Sequence, residues 1–197
     1  MKSTSNYQKH TTKNPVQRFL IENFYNNLIS TLCDLDLGSV LDVACGEGFT
    51  LARLQKNRIG RKLEGVDFSN DAIRMGREMF PNLSLKYGNI YNLPYKKGSF
   101  DLVICTEALE HLEKPDIALV ELRRVSKKYL LLSVPNEPLF RLANFLRGKN
   151  LSRFGNDIEH INHWSSNSFE KFIKNNGIKI LIKKVPFPWI LVLAKKK

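Results

Sequence analysis

Val40-Leu41-Asp42-Val43-Ala44-Cys45-Gly46-Glu47-Gly48-Phe49-Thr50 is the stretch from which the rest of the chain can be read. A buried-strand pattern, Ser39–Ala44, carries an acid near its end and runs into a turn of small residues. A helical pattern then covers Gly48–Asn57. Gly46 and Gly48 have no Cβ, so the backbone there can come close to a bound molecule. In open α/β sheets ligands collect outside the carboxyl ends of the strands, at such strand–turn–helix junctions.

Outward from this loop, short apolar runs alternate with helical periodicity. Lys62–Asp67, Leu83–Tyr87, Phe100–Cys105 and Tyr129–Val134 read as strands. Asn70–Phe80, Pro115–Ser126 and Ser165–Asn176 read as helices, and a helix over Pro15–Cys33 precedes them all. Nearly continuous apolar strands separated by helices predict a parallel sheet covered on both faces. Ile178–Val185 and Trp189–Ala194 have no helix between them and close the chain as an antiparallel hairpin. The expected architecture is therefore a doubly wound, mostly parallel seven-stranded sheet of Rossmann-like type. Residues 1–14 are polar throughout and read as a disordered arm, and 15–197 as a single domain. Residues 136–163 are too long for a simple connection and are expected to form an inserted lid. Within it Arg141, Asn144 and Arg147 would line one stripe of a helix packed on the core.

A second acid, Asp67, ends the next strand 19 residues after Gly48, where a carboxylate can accept hydrogen bonds from ribose hydroxyls. The pair reads as a nucleoside site. A dinucleotide fingerprint would place a third glycine where Leu51 stands, and Asp42 and Glu47 would repel a pyrophosphate. The phosphate loop G-x-x-x-x-G-K-[ST] is absent. Acidic residues instead favour a cationic nucleoside such as S-adenosylmethionine.

With these residues in view, the chain resembles the class I S-adenosylmethionine-dependent methyltransferases, above all the small-molecule branch that includes ubiquinone- and menaquinone-type enzymes. Val40–Leu54 is similar to their first motif, and Gly65-Val66-Asp67-Phe68-Ser69 to the second. Gly88-Asn89-Ile90, Leu93-Pro94-Tyr95 and Ser99-Phe100-Asp101 resemble the third and fourth, and Thr106–Leu112 the segment after strand four. The resemblance implies that Asp42, Ala44, Gly46 and Gly48 bound the methionine part of S-adenosylmethionine. Asp67 would take the ribose, with Phe68 beside the adenine and Asn89 and Ile90 at its edge; Thr106 and Glu107 would close the site. Ala44 stands where the family usually has glycine, and Asn89 where it usually has aspartate.

Transfer to an O, N or C atom of a small acceptor, with anionic, lipid-linked and sugar-linked molecules among the candidates, is the expected reaction, with S-adenosylhomocysteine as product. The alternative is an RNA-binding methyltransferase or a non-catalytic cofactor-binding module. It draws on an excess of positive charge. Residues 123–197 hold 16 of the 31 Lys and Arg but 4 of the 19 acids. His111, after strand four, and His160 and His163, in the polar run Glu159–Trp164, are the candidate bases or acceptor-orienting groups. Glu110 and Glu113 read as solvated.

No metal site is expected, because two histidines without an identifiable third ligand do not make one. Cys33, Cys45 and Cys105 are an odd count with no CxxC pair, which argues against a disulfide framework. Cys45 and Cys105 read as buried filler. With no apolar secretory segment and no apolar run of membrane-spanning length, a cytoplasmic location is expected, peripheral membrane contact remaining open.

Overall fold

The computed structural model describes residues 4–137, 139–140 and 160–196. Seven strands form one sheet: β1 (Ser39–Val43), β2 (Lys62–Asp67), β3 (Ser84–Tyr87), β4 (Phe100–Thr106), β5 (Ser126–Pro135), β6 (Ile178–Lys184) and β7 (Trp189–Lys196). Their spatial order is β3-β2-β1-β4-β5-β7-β6. The first five strands run parallel, and β7 lies antiparallel to both β5 and β6. The sheet therefore has the Rossmann-like, doubly wound form expected from the sequence, with its hairpin at the end of the chain.

Among the described residues the helices that accompany the strands include α1 (Ser5–His10), α2 (Pro15–Leu32), α3 (Phe49–Lys56), α4 (Asn70–Met79), α5 (Pro115–Val125) and α6 (Ser166–Asn175). Asn14 caps α2 by accepting the Val16 and Gln17 N–H groups, and Pro15 occupies the first turn, where no N–H is needed. Ser69 caps α4 and Ser165 caps α6 through the same kind of side-chain bond. Two apolar clusters fill the two faces of the sheet. One joins Leu109, Leu119, Leu122 and Phe169 to Val103, Leu130 and Ile190. The other joins Leu28, Leu32, Leu51 and Leu54 to Val40, Leu102 and Ile104.

Most boundaries shift by one or two residues, and two differences are larger. β5 starts at Ser126, three residues before Tyr129, because Ser126 pairs with Phe100 across a register shift. Residues 5–10, expected to belong to a disordered arm, form α1. Thr4 caps it by accepting the Tyr7 N–H at 3.0 Å. It has no buried residue of its own, so its order comes from long-range partners: Asn6 donates to Glu47, and Lys9 pairs with Glu107.

Most of the expected lid, residue 138 and residues 141–159, lies outside the described residues, as does the Arg141–Asn144–Arg147 stripe. The two ends of that segment meet: the Glu137 N–H donates to the Trp164 carbonyl at 2.9 Å. No described helix is long and apolar enough to cross a membrane.

Candidate active site

β1 is flanked by β2 on one side and β4 on the other, so the strand order reverses between β1 and β4 and opens a crevice at their carboxyl ends. Three strands deliver side chains to it. Asp42 comes from β1, Asp67 from the tip of β2 and Thr106 from the tip of β4.

The turn after β1 takes its shape from left-handed residues, Ala44 (φ 60°), Gly46 (φ 54°) and Gly48 (φ 89°). Ala44 thus pays the strain that glycine would avoid. The Gly48 N–H closes the turn on the Cys45 carbonyl at 2.9 Å. Asp67 clamps the loop from the neighbouring strand, one oxygen accepting the Gly46 N–H and the other the Ser69 N–H, each at 2.7 Å. Gly76 of α4 faces the same loop. A Cβ there would fall 2.5 Å from the Glu47 carbonyl oxygen.

A cavity of about 310 Å³ opens beside this loop, walled by Asp42, Ala44, Gly46, Asp67, Thr106, Glu107 and His111 among others. A second, of similar size, shares Ala44, Asp67, Ala108 and Leu112 with the first and continues over Phe68, Asn89 and Ile90. Of the ten residues expected around the cofactor, nine line one or both cavities. Gly48 does not: it sits at the start of α3 against Leu83 and Leu85. Phe68 and Tyr87 stand exposed with ring centres 5.8 Å apart, at the outer end of the second cavity. The Asn89 side-chain oxygen accepts the Tyr91 N–H at 2.9 Å, so it helps to shape its own loop.

Asp42 is 1% exposed, and neither of its oxygens has a hydrogen-bond partner. Burial, and then the nearby Asp67 carboxylate, push it well above the ordinary carboxylate range. Glu107 behaves oppositely. Despite the upward push of burial, Lys9 holds it below that range. Burial drives the Cys45 and Cys105 thiols up, which suits packing and not nucleophilic attack.

The cavity has walls that sequence reasoning missed, chiefly Asn6 and His10 of α1 and Tyr25 of α2. His10 stacks on Phe49 with ring centres 4.3 Å apart, and burial, then Lys9, push it down to about 3, so it is neutral at physiological pH. The one signal for α1 in the sequence is Thr4, a good N-cap residue.

The three candidate histidines converge. His111 belongs to a 3₁₀ turn, Leu109–His111, after β4 and reaches the first cavity. His160 is buried, with Nδ1 2.6 Å from a Glu137 oxygen, and His163 Nδ1 lies 3.6 Å from the same oxygen. Glu110, expected to be solvated, is 1% exposed. Its 3₁₀ turn is tied inward by residues some 50 positions away: the Ile161 and Asn162 N–H groups both donate to the Glu110 carbonyl at 2.9 Å. The Asn162 side chain also donates to the carbonyls of Leu109 and Leu112.

Comparisons with known proteins point to methyltransferases. Residues 40–129 match the family described as a methyltransferase domain. A demethylmenaquinone methyltransferase of Lactiplantibacillus plantarum is 30% identical over 141 residues, covering 59% of this chain and 60% of the relative. A ubiquinone biosynthesis O-methyltransferase of Albidiferax ferrireducens is 33% identical over 93 residues, covering 44% and 36%. The chain thus matches less than two thirds of these relatives' lengths. In fold, it superimposes on a SAM-dependent methyltransferase from Aquifex aeolicus with a TM-score of 0.71 at 18% identity, covering 99% of this chain and 100% of that one.

The cradle fits S-adenosylmethionine, the molecule on which the Aquifex aeolicus methyltransferase depends. The buried, unpartnered Asp42 carboxylate calls for a cation or a hydrogen-bond donor, which the sulfonium and ammonium of that molecule provide. The two joined cavities give it an extended berth ending at exposed aromatic rings.

Proposed function

We propose that the chain binds S-adenosylmethionine across the two joined cavities and methylates an oxygen, nitrogen or carbon atom of a small acceptor that enters on the His111 side. The observation that carries this reading is the Asp42 carboxylate, buried without a partner between the Gly-rich loop and Asp67. Asp42 and the Gly46 turn would hold the methionine end. Asp67 would accept from the ribose hydroxyls with the lone pairs that Gly46 and Ser69 leave open, and Phe68 would cover the adenine.

When bound, the cofactor supplies an electrophilic methyl group on a sulfonium. The protein's contribution is positioning and exclusion of water. α1 serves the second purpose, because Asn6 and Lys9 fasten it across the cavity mouth to Glu47 and Glu107. His111, His160 and His163 would orient the acceptor or take its proton. Similarity to a demethylmenaquinone methyltransferase and to a ubiquinone biosynthesis O-methyltransferase supports a small ring-bearing acceptor, lipid-linked or free.

The test has two stages. Calorimetry on the full chain should show one equivalent of S-adenosylhomocysteine bound. A labelled methyl donor should then transfer to members of a panel of phenols, quinols and short RNAs, with phenols or quinols accepting. Absence of S-adenosylhomocysteine binding to folded protein would remove the whole reading. Transfer to RNA alone would replace the small acceptor.

A further inference from the structure

Beside the cavity, which His111 itself helps to wall, lies a second set of groups to which the cofactor reading gives no role. Glu110, His111 and His160 each offer a ligand atom, and these atoms all lie within 4.8 Å of one another. Glu110 is 1% exposed and its Oε2 has no partner; Glu137, 4% exposed, has an unpartnered Oε2 as well. Two carboxyl groups taken out of water beside imidazoles, with no Lys or Arg paired to either among the described residues, leave buried oxygens that a cation would satisfy.

We propose that Glu110, His111 and His160 bind one divalent transition-metal ion, with Glu137 orienting His160 from behind.

Each part of the cluster has the form such a site requires. Glu137 sits 2.6 Å from His160 Nδ1, so that nitrogen carries the proton and Nε2 is left as the donor to an ion. Carboxylate–histidine–metal arrangements are built this way, and they fix both the tautomer and the ring direction. The scaffold is rigid where rigidity counts: Ile161 and Asn162 bond to three carbonyls in and just after the 3₁₀ turn, those of Leu109, Glu110 and Leu112. His111 is the adjustable member. Its side chain is 38% exposed and its Nε2 is 4.0 Å from Glu110 Oε1. Ligand atoms around a zinc ion at about 2.0–2.2 Å lie roughly 3–3.5 Å apart, so a small rotation of His111 closes the set.

Two imidazoles and a carboxylate favour Zn²⁺, Co²⁺ or Mn²⁺ over Mg²⁺ or Ca²⁺, which prefer all-oxygen shells. Three protein ligands leave at least one position open, and His111 directs that side to the cavity. An ion there would hold an acceptor oxygen in place and lower the pKa of its proton. This use of the ion rests on the methyltransferase reading, whereas binding of the ion does not.

The full chain, stripped with a chelator and dialysed, is titrated with Zn²⁺ against a chromogenic competitor and separately with Co²⁺. One equivalent should bind, and Co²⁺ should give a visible d–d spectrum. His111→Ala, His160→Ala and Glu110→Gln should each weaken Zn²⁺ at least tenfold, and Glu137→Gln by a smaller factor. Glu113→Gln, an exposed neighbour, should bind as the wild type does. S-adenosylhomocysteine affinity is measured on every variant. Retained affinity shows an intact fold, so His111→Ala, the most exposed change, remains informative if Glu110→Gln fails to fold. The proposal is overturned if the wild type takes up no stoichiometric Zn²⁺ or Co²⁺. Uptake that survives both histidine changes, disappears with Cys33→Ala, or is outcompeted by Mg²⁺ would also overturn it.

Discussion

Asp42→Asn should make the ligand-free protein more stable and, at the same time, poorer at holding its cofactor. The wild-type carboxylate is 1% exposed, accepts no hydrogen bond and is raised well above its ordinary pKa, first by burial and then by Asp67. A buried polar group without a partner costs about 1–3 kcal/mol, and a charged one more. Asn keeps the volume and removes the charge but leaves an amide in place, so the gain is about 1–3 kcal/mol. In a chain of this length that raises Tm by about 2–10 °C. The gain depends on pH. A carboxyl whose folded pKa exceeds its unfolded value stabilises the fold below the unfolded pKa, near 4, and loses that contribution as pH rises through the folded value. The two proteins should therefore melt together near pH 4 and separate as pH rises toward neutrality, with the variant higher. Loss of a charge-assisted hydrogen bond, about 1.5–3 kcal/mol, should weaken S-adenosylhomocysteine about 10- to 150-fold. Scanning calorimetry between pH 4 and 8 and titration calorimetry at pH 7 check the two halves. A lower Tm for the variant at neutral pH would show that the carboxylate is structurally paired. Unchanged affinity would show that no cationic ligand meets it.

Other changes probe the frame around the site. Gly76→Ala gains about 1 kcal/mol of helix propensity, but its Cβ would meet the Glu47 carbonyl at 2.5 Å, backbone that cannot step aside. A Tm lowered by about 2–6 °C and weaker S-adenosylhomocysteine binding are expected, and an unchanged or raised Tm would show that the loop yields freely. Asp101 is held below the ordinary carboxylate range, against the push of burial, by the Gly38 and Ser39 N–H groups. Its stabilisation is present above the unfolded pKa and lost as pH falls through the folded one. Asp101→Asn should thus cost about 1–2 kcal/mol at pH 7 in urea melts, and less below about pH 4. Phe169→Ala, at a fully buried position between Trp164 and the sheet, should cost about 3–5 kcal/mol by the same measurement.

What the sequence revealed followed from local periodicity. Ser39–Val43 and Phe100–Thr106 are apolar because both faces of the sheet are covered, so their strand character and central place could be read directly. The acids at the tips of β1 and β2 were legible for the same reason: each interrupts an apolar run at its end. α1 was not. Six residues with no buried face carry no helical pattern, and what orders them is distant in sequence: polar contacts to Glu47 and Glu107, some 41 and 98 positions away, and the stacking of His10 on Phe49. Glu110 was misread because its neighbours in sequence, His111 and Glu113, are exposed, whereas its burial depends on the return of the chain at Ile161 and Asn162. The partnership of Glu137 with His160 lies across the same long excursion, beyond the reach of any local window.

Residues 137 and 160–164 meet at one doorway, where the Glu137 N–H donates to the Trp164 carbonyl and the Glu137 carboxylate reaches His160. The sheet is anchored independently of whatever lies between. Closing a longer segment at a fixed doorway costs only about 0.6 kcal/mol per doubling of its length. Changes of length between residues 140 and 160 should therefore leave the strand order untouched.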